Sequence, residues 1–587
     1  MRIAVLNKDR CQPLKCGKEC HRYCPMVRTG DETIVFGESG KPEISEGLCE
    51  GCGICIKKCP FDSITIINLP EELKSGQTHR YGKNAFALYG LPIPTKGKVT
   101  GILGENGTGK STAINILSGG LKPNLGGEGL SWDEIIRQYS GSELQDYFKQ
   151  VLKGNIVTSH KPQYIDNIPK VFKGNVSELL ERTDERGNLG ELISHFSLEV
   201  ILERNMGDLS GGELQRVAIV ACMAKDADFY FFDEITPYLD IYQRINAAKL
   251  IRKLALKKTV IVVEHDLAIL DLLADVIHVT YGKSGVYGVV THPKGVRVGI
   301  NQYLDGYLSE QNVRIRGEKI DFEVHSPQPL ELLTDILEYK RIFKRFGDDG
   351  FEFEVADGRV RKGEVIGIVG KNGIGKSTFV KLLAGILEPT VGKVDFDIKI
   401  SYKPQYIKAE DLIVSELLRS LTDDFGMPHY RNEILRPLQL EGFLDHNIMN
   451  LSGGELQRVA IAACLSKDAD LYILDEPSAH LDVEQRTQAT KAIRRFSQNH
   501  DVSSMVVDHD IYMVDLISDR LIVFSGEPAI RGEAFGPFEM RQGMNRFLCE
   551  LGITFRRDET KRPRINKPDS RLDREQKTGG EFYYQKL

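Results

Sequence analysis

Residues 104–111 read GENGTGKS and residues 370–377 read GKNGIGKS, and these two octapeptides are the strongest indication of the fold. Each matches the spacing GxxxxGKS, follows an apolar run and precedes a helical pattern, which is the context of a phosphate-binding loop. Glycines let successive backbone N–H groups curve around phosphate oxygens, and the following helix directs its positive end at them. One such turn could arise without a ligand, but two copies in register predict two nucleotide sites.

Each loop carries the side chains that nucleotide chemistry needs. Lys110 and Lys376 are expected to reach the β- and γ-phosphates, and the hydroxyls of Ser111 and Ser377 to bind Mg²⁺. The predicted nucleotide contacts of the two loops are Gly104, Asn106, Gly107, Gly109, Lys110, Ser111 and Thr112 in the first, and Gly370, Asn372, Gly373, Gly375, Lys376, Ser377 and Thr378 in the second.

Length and composition describe an ordinary globular protein of several domains. At 587 residues the chain exceeds the size of a single hydrophobic core, so three or four domains are expected. No apolar run approaches the ~20 residues that span a bilayer, and the N-terminus lacks a signal-peptide pattern, which predicts a cytoplasmic protein without a membrane anchor. The net charge of −6 gives no general affinity for nucleic acid, so any basic surface has to be local.

Cysteines cluster at the N-terminus, where eight of the eleven lie within the first 59 residues. In a cytoplasmic chain such clustering favours metal over disulfides. Residues 49–60 form the run CxxCxxCxxxCP of bacterial ferredoxins, and residues 11–25 form a looser version that also ends in Cys-Pro. We predict two 4Fe-4S clusters with exchanged fourth ligands, one held by Cys11, Cys16, Cys20 and Cys59, the other by Cys24, Cys49, Cys52 and Cys55. A pair of zinc sites is the alternative.

Short strands predicted at 2–5, 33–36 and 64–67 complete a small ferredoxin-like domain over residues 1–75. Its first 30 residues contain seven Lys or Arg and two acidic residues. A surface for a partner is therefore as plausible as a role in electron transfer.

The sequence LSGGELQR occurs in both halves, at 209–216 and 451–458. Ser210 and Ser452 stand at helix N-cap positions, so each hydroxyl and the next two amides form an anion site. The predicted contacts are Ser210, Gly211 and Gly212 in the first half, and Ser452, Gly453 and Gly454 in the second. At this motif the chain resembles the ATP-binding cassette family, whose signature sequence is LSGG.

An apolar strand over 229–232 delivers Asp233, expected to hold Mg²⁺ through water, and Glu234, expected to polarise the water that attacks the γ-phosphate. The resemblance adds Gln163 as a contact to Mg²⁺ and to the attacking water, and His265 as the switch histidine at the γ-phosphate, although a lone histidine is more often structural. The counterparts in the second half are Gln405, Asp475, Glu476 and His509.

The resemblance implies an α/β fold of two tandem nucleotide-binding domains that clamp two ATP molecules between them. Each phosphate loop would face the signature residues of the opposite half, so Ser452 and Gly454 would complete the first site and Ser210 and Gly212 the second. One departure concerns the residues after Glu234. The family continues Pro-Ser, as at 477–478, but here Ile235 and Thr236 follow, which leaves the rigidity of that loop and the turnover of the first site open.

The two halves differ by an insertion. The lysine of the phosphate loop and the following glutamine are 53 positions apart in the first half and 29 in the second, which gives an insertion of 24 residues. Apolar residues at helical spacing on both sides of a break at 140–142 predict a helical hairpin over about 126–154 that bears the only tryptophan, Trp132. It could equally be a packed embellishment without function.

Two linkers and a tail complete the organisation. Residues 299–304 and 543–548 align as a repeated linker, which predicts a hinge. Residues 556–577 hold nine Lys or Arg and five acidic residues, which is typical of solvated surface, though contact with phosphate is a second possibility. The predicted division is a ferredoxin-like domain over 1–75, nucleotide-binding domains over 76–294 and 321–535, and hinge segments over 295–320 and 536–587, the last with the basic tail.

Taken together, two cassettes, eight N-terminal cysteines, an inserted hairpin and paired hinges resemble the RNase L inhibitor family, subfamily E of the ATP-binding cassette proteins. The resemblance implies an ATP hydrolase that splits ribosomes, binds rRNA and proteins of the small subunit, and acts with a release or rescue factor as a monomer of two pseudo-symmetric halves. Two rivals are the ATPase component of a membrane transporter and a redox enzyme whose ATPase drives electron transfer.

Overall fold

The computed structural model describes residues 2–37, 39–68, 76–127, 129–322, 334–347, 350–394, 398–405, 411–558 and 561–584. Residue 128 of the predicted insertion, residues 69–75 at the predicted end of the first domain and residues 559–560 of the basic stretch lie outside this description. Among the described residues, no helix has both the length and the apolar character needed to cross a membrane.

The N-terminal domain contains two small antiparallel sheets, Arg2–Leu6 with Ile64–Asn68, and Ile34–Phe36 with Pro42–Ile44. The three predicted strands are present, and Pro42–Ile44 was not predicted. Its helices are Glu19–Arg22, Pro25–Arg28 and Ile54–Lys58. A core of its own, made by buried aliphatic side chains and the cysteines, makes this a separate small domain.

The first half is built on a nine-stranded sheet, in which five consecutive strands, counted inward from one edge, are parallel. These five, in spatial order, are Thr158–Lys161, Phe229–Asp233, Thr259–Val263, Val99–Gly104 and Val276–Lys283. The four remaining strands are Gln77–Arg80, Ala87–Tyr89, Tyr287–Val290 and Lys294–Gly295. The carboxyl ends of parallel strands meet at one edge of a sheet, so the residues that follow these strands gather there.

Helices cover both faces of this sheet. The α-helices are Lys110–Leu117, Trp132–Gln138, Glu143–Leu152, Ile168–Val171, Val176–Thr183, Leu189–His195, Gly211–Ala224, Ile241–Ala255 and Leu267–Leu273. Short 3₁₀ turns are Ile165–Asn167, Glu199–Ile201 and Met206–Asp208.

The second half repeats the plan in a ten-stranded sheet. Its strands are Asp335–Arg345, Glu352–Val355, Gly358–Arg361, Val365–Val369, Val391–Val394, Ile400–Lys403, Leu471–Asp475, Ser503–Val507, Arg520–Glu527 and Arg531–Glu539. Its helices are Lys376–Leu383, Val414–Leu421, Pro428–Tyr430, Gly453–Leu465, Val483–His500 and Ile511–Ile517, with 3₁₀ turns Asp423–Gly426 and Ile448–Asn450 and a π-turn Arg431–Leu435. The predicted fold, two tandem α/β cassettes behind a ferredoxin-like domain, is confirmed.

The insertion in the first half is the predicted helical hairpin, Trp132–Gln138 followed by Glu143–Leu152. The first helix begins at a capping box, in which Ser131 and Glu134 each bond the other's backbone N–H. Phe148 is fully buried and packs near Trp132, and the Tyr147 hydroxyl donates to the carbonyl of Leu117 in the helix after the phosphate loop. The hairpin is therefore fixed to the nucleotide-binding half.

The repeated linker forms two helices, Val296–Asp305 and Met540–Leu551, each packed on the sheet of its own half. Gly299 and Gly543 allow the close approach, because a β-carbon at either position would lie 2.5 Å from Ile277 and 2.7 Å from Leu521, respectively. Strands Tyr307–Leu308 and Val313–Arg314 follow the first of these helices.

The basic tail folds rather than lying in solvent. Its strands are Phe555–Arg557, Pro563–Ile565 and Tyr583–Tyr584, and its helix is Arg571–Thr578. Buried Arg557 pairs with Asp515 of the second half, while Arg562 pairs with Asp305 of the first linker helix at 2.5 Å. Arg564 lies 3.7 Å from Asp271 of the first half. The interpretation as solvated surface is wrong for these arginines, because they join the two halves inside the protein.

Candidate functional site

A cavity of about 740 Å³ opens between the two halves, at the edge where the parallel strands of both sheets end. From the first half it is lined by Asn106, Gly107, Gly109, Lys110, Ser111, Thr112, Gln163, Glu234 and His265. From the second half it is lined by Ser452, Gly453, Gly454, Asn372, Gln405, Glu476 and His509. The structure thus brings the first phosphate loop together with the signature residues of the opposite half.

The predicted second site is less completely assembled around this cavity. The cavity is not lined by the second loop's Lys376, Ser377 and Thr378, nor by the first half's signature residues Ser210, Gly211 and Gly212. The halves nevertheless meet at this second loop, because the backbone N–H of Asn372 donates to Asp240 Oδ2 of the first half at 2.8 Å.

Both loop lysines are buried and hold their own loops in shape. Lys110 Nζ donates to the carbonyl oxygens of Gly104 at 2.9 Å and Glu105 at 2.8 Å, and Lys376 makes the matching bond to Gly370 at 3.0 Å. Burial lowers the pKa of Lys110 to about 8, while the nearby carboxylate of Glu234 opposes that shift. The lysine is therefore a desolvated cation at the position where phosphate charge would be most stabilised.

The strand Phe229–Asp233 ends at the first of the two predicted carboxylates, and Glu234 follows it directly. A buried cation fixes the backbone at these two residues. Lys161, 1% exposed, donates to the carbonyl oxygens of Asp233 at 3.0 Å and Glu234 at 2.7 Å. Glu234 has a φ of 54°, a left-handed conformation that costs a non-glycine residue energy and is frequent at functional sites. Gln163 Nε2 donates to its Oε1 at 2.7 Å.

The second half reproduces this geometry. Lys403 donates to the carbonyl oxygen of Asp475 at 2.8 Å, and Gln405 Nε2 donates to Glu476 Oε1 at 2.7 Å. Glu476 has a φ of 48°. In addition, Ser377 Oγ donates to Asp475 Oδ2 at 2.9 Å, which places the predicted Mg²⁺ ligand Ser377 beside the carboxylate expected to hold the ion through water.

Both predicted switch histidines face the cleft. His265 Nε2 lies 3.8 Å from Glu234 Oε1, and His509 Nε2 lies 3.6 Å from Glu476 Oε1. All four ring nitrogens of the two side chains are buried without a hydrogen bond in the described part of the chain. Since buried polar groups are normally paired, these rings are poised for a ligand that enters the cleft.

The two glutamates differ in charge state. Burial, together with repulsion from Glu264 and Asp233, raises the pKa of Glu234 to about 7. Burial also disfavours the charged form of Glu476, but attraction to His509 and Lys376 prevails and lowers its pKa to about 2. Glu476 therefore stays ionised at neutral pH, whereas Glu234 is partly protonated there.

This difference predicts a pH dependence for one cleft only. A carboxylate must be ionised to polarise water, so turnover in the first cleft should rise as pH increases through about 7, whereas turnover in the second should be flat between about pH 6 and 8. Single-turnover hydrolysis in the Glu476→Gln protein reports the first cleft, and in the Glu234→Gln protein the second, measured as phosphate formed across that pH range. Parallel pH profiles for the two variants would contradict the prediction.

Ile235 and Thr236 stand where the family has Pro-Ser, and a buried glutamate compensates for this change. Glu264 accepts the N–H groups of Ile235 and Thr236, both at 2.9 Å, and the Thr236 hydroxyl at 3.0 Å. In the second half the shorter Asp508 accepts only the N–H and hydroxyl of Ser478 in this turn, because Pro477 has no N–H. The longer side chain supplies the acceptor that the extra N–H requires, so the loop is held.

Glu264→Asp should leave the N–H of Ile235 unpaired and lower the stability of the first half by about 1–3 kcal/mol. Ile235→Pro in the same protein removes that N–H and should restore most of the loss. Thermal unfolding of the single and double variants measures both effects, and Asp508→Asn in the second half provides a comparison for loss of charge alone. Additive destabilisation by the two changes would count against this account.

The signature residues begin long helices. Ser210 caps Gly211–Ala224 and Ser452 caps Gly453–Leu465, each through a capping box with the glutamate three residues on. Gly212 and Gly454 pack against the carbonyl oxygens of Tyr238 and His480, respectively, where a β-carbon would lie at 2.9 Å. The hydroxyl and amides at each helix start can therefore face an anion closely.

Sequence reasoning missed several cleft residues. Tyr81 and Phe86 also line the cavity beside the first loop, and the Tyr81 hydroxyl lies 3.2 Å from Thr112 Oγ1. Their aromatic rings suit the base of a nucleotide. They lie far from the loop in sequence, whereas Lys161 and Lys403 recur in the repeated motif KPQY and could have been found there.

The eight N-terminal cysteines form two spatial groups. Cys11, Cys16, Cys20 and Cys59 line one small cavity, and Cys24, Cys49, Cys52 and Cys55 line another. Burial raises the pKa of the thiols of Cys20 to about 11 and Cys55 to about 12, and in each case the neighbouring thiols of the same group raise it further. Four thiols around one cavity fit an iron–sulfur cluster, whose ligands are thiolates. In the described residues no three His, Cys, Asp or Glu side chains are placed to hold a single metal ion.

Three family models match the chain, over four stretches. The ABC transporter model covers residues 94–237 and 353–479. The possible Fer4-like domain in RNase L inhibitor covers residues 1–32, and the 4Fe-4S binding domain covers residues 42–65. The chain therefore combines ATP-binding cassette ATPase domains with a 4Fe-4S binding N-terminus.

Relatives match over the full length. An uncharacterized ABC transporter ATP-binding protein of Methanocaldococcus jannaschii is 53% identical over 100% of this chain and 98% of its own. A structure described as a model of ribosome-bound archaeal Pelota and ABCE1 has a TM-score of 0.92 at 54% identity, covering 100% of this chain and 99% of that one. A crystal structure of archaeal ribosomal stalk protein aP1 with archaeal ribosome recycling factor aABCE1 has a TM-score of 0.84 at 53% identity, covering 87% and 99%.

Proposed function

This chain belongs to the RNase L inhibitor family of ATP-binding cassette proteins, and we propose that it uses ATP binding and hydrolysis to split ribosomes into their subunits. The observation that carries this proposal is the cavity in which the first phosphate loop meets Ser452 and Gly454 of the other half. A nucleotide bound there touches both halves, so its γ-phosphate can hold them together and its hydrolysis can release them.

The side chains around the two clefts can be assigned roles in ATP hydrolysis. Lys110 and Lys376 would draw charge from the β- and γ-phosphates, and Glu234 and Glu476 would orient and polarise the attacking water. Gln163 and Gln405 hold these carboxylates at 2.7 Å, and His265 and His509 would donate to the γ-phosphate. Mg²⁺, when bound through Ser111, Gln163, Ser377 and Gln405, would neutralise phosphate charge. The roles of these residues are part of the proposal.

The iron–sulfur domain is attached firmly to the first cassette. Asn84, 5% exposed, donates to the carbonyl oxygens of Ala4 and Ile44, both at 3.0 Å, and accepts the N–H of Ile44 at 2.7 Å. Arg80 forms a two-bond ion pair with Glu46. When the cassettes close, this domain moves with the first cassette, and we propose that it pushes on a release or rescue factor.

The partners, the location and the cofactors of the protein follow from the same proposal. The partners are a ribosome, through rRNA and proteins of its small subunit, and a release factor or stalled-ribosome rescue factor, so the protein works in the cytoplasm. We further propose two 4Fe-4S clusters, held by the two cysteine groups described above, and the predicted division into a ferredoxin-like domain, two cassettes and two hinge segments. Related structures described as a complex with a ribosomal stalk protein and as ribosome-bound Pelota and ABCE1 support these partners.

Density-gradient sedimentation of ribosomes with this protein, ATP and a release factor tests the function. Free subunits should appear with ATP and should not appear when both Lys110 and Lys376 are replaced by alanine. Membrane association together with intact ribosomes would favour a transporter component instead. Splitting without any nucleotide would also overturn the proposal.

A further inference from the structure

Arg316 lies just after the first linker helix, and its guanidinium is buried, with 9% of the side chain exposed. Its Nε donates to Glu484 Oε2 at 2.8 Å, and its Nη1 donates to the carbonyl oxygen of Tyr303 at 3.1 Å. Its Nη2 lies 3.7 Å from Glu105 Oε1. One cation thus contacts the linker helix, the second cassette and the first phosphate loop.

Glu105 connects this cation to the nucleotide site. It is the second residue of the loop GENGTGKS, and its carbonyl oxygen accepts from Lys110 Nζ and Thr108 Oγ1, both at 2.8 Å. Its carboxylate oxygen Oε1 lies 3.7 Å from Nη2 of Arg316. A shift of the loop on binding phosphate therefore moves the carboxylate that faces the hinge.

Glu484 connects the same cation to the opposite half. It lies in the first turn of Val483–His500, the helix that Asp482 caps and that follows Glu476 in the chain. Glu105 and Glu484 are both acidic, so without a cation between them they would repel across the interface. Nη2 of Arg316 is buried and makes no hydrogen bond in the described residues, which leaves a donor free to tighten onto Glu105.

The second half joins the equivalent elements with a different placement of charge. Lys371 stands where Glu105 stands in the first loop, and its ammonium lies 4.9 Å from the ring centre of Tyr242 in the first cassette. The Tyr242 hydroxyl donates to Glu550 of the second linker helix at 2.8 Å. The cation lies in the phosphate loop in this half and in the linker in the other.

We propose that Arg316 is a positioning residue of the first ATP cleft, which ties its phosphate loop to the hinge and to the second cassette so that the cleft closes and the hinge moves as one event. This inference rests on the proposed function only in that the two cassettes close on ATP. Ribosomes are not needed to test it.

The test measures labelled ATP retained in the first cleft of Glu234→Gln protein, in which hydrolysis at that cleft is blocked. Arg316→Ala should reduce retention about tenfold, the factor expected for losing a charge-assisted contact. Glu105→Lys alone should also reduce it, because two cations then face each other. The double change should retain more ATP than either single change, since the new lysine can pair with Glu484, as the second loop tolerates Lys371 at this position.

Arg314→Ala is the matched control, because Arg314 is an exposed arginine two residues earlier, and it should leave retention unchanged. Arg316→Lys keeps the charge without the planar fork and should fall between wild type and Arg316→Ala. Additive losses in the double change, or full retention by Arg316→Ala, would overturn the inference. Thermal unfolding of each variant shows whether it has kept its fold. If Arg316→Ala has not, the ATP retention of Arg316→Lys decides the test. Failure to split ribosomes with normal ATP retention would instead count against the proposed function.

Discussion

Replacing Glu476 by glutamine is expected to hold the protein in its closed, ATP-bound form and to retain it on the small ribosomal subunit. Glutamine has nearly the same volume and can keep the contact with Gln405, but it cannot polarise water as a carboxylate does. Loss of a positioned general base lowers rates by about 100- to 10,000-fold. Since the γ-phosphate then persists, the halves remain joined. Gel filtration with labelled ATP and gradient sedimentation with small subunits measure the two effects.

Glu527→Gln is a suitable control, because Glu527 is an exposed glutamate of the same cassette that does not line the cleft. Comparison with Glu234→Gln separates the two sites. Because the pKa of Glu234 is raised to about 7, its carboxylate is partly neutral at pH 7, and Glu234→Gln should reduce turnover less than Glu476→Gln at that pH. Unchanged ATP turnover by Glu476→Gln, with no retention on subunits, would refute the assignment of this residue.

Removing two cysteines is expected to destroy either one cluster or both, depending on their spatial group rather than their order in the sequence. Cys20→Ala with Cys59→Ala removes two ligands from one group and should cost about half of the bound iron and sulfide, because the other group keeps four thiolates. Cys55 and Cys59 belong to the same sequence run but to different spatial groups. Cys55→Ala with Cys59→Ala should therefore damage both clusters and remove nearly all of the bound iron and sulfide. Iron and acid-labile sulfide analysis of the purified proteins measures this.

The exposed Cys549→Ala is the control and should leave the iron content unchanged. Equal iron loss by the two double variants would contradict the exchange of fourth ligands between the sequence runs. Zinc in place of iron in the wild-type protein would contradict the clusters themselves. Retention of the remaining cluster in the first double variant also tests whether the small domain keeps its fold with one cluster.

Local patterns predicted much of this molecule because they encode local geometry. The spacing GxxxxGKS dictates a strand, a loop and a helix, and the capping box at Ser210 dictates where the signature helix begins. The insertion was located by comparing the repeats and identified as a hairpin by its helical spacing. The grouping of the cysteines followed the pattern of two-cluster ferredoxins and agrees with the cavities that the thiols line.

Sequence alone determined the fold class, the two phosphate loops and the family, since these depend on residues close together in the chain. Tertiary structure decided what distant residues do: Glu264 holds the altered loop at Ile235, Arg316 joins Glu105 to Glu484, and the tail arginines are buried between the halves. The sequence position of a charged residue does not reveal whether its side chain will be solvated or will pair with another side chain. Only the folded chain brings an arginine to the carboxylates, hundreds of residues away in sequence, that make its burial favourable.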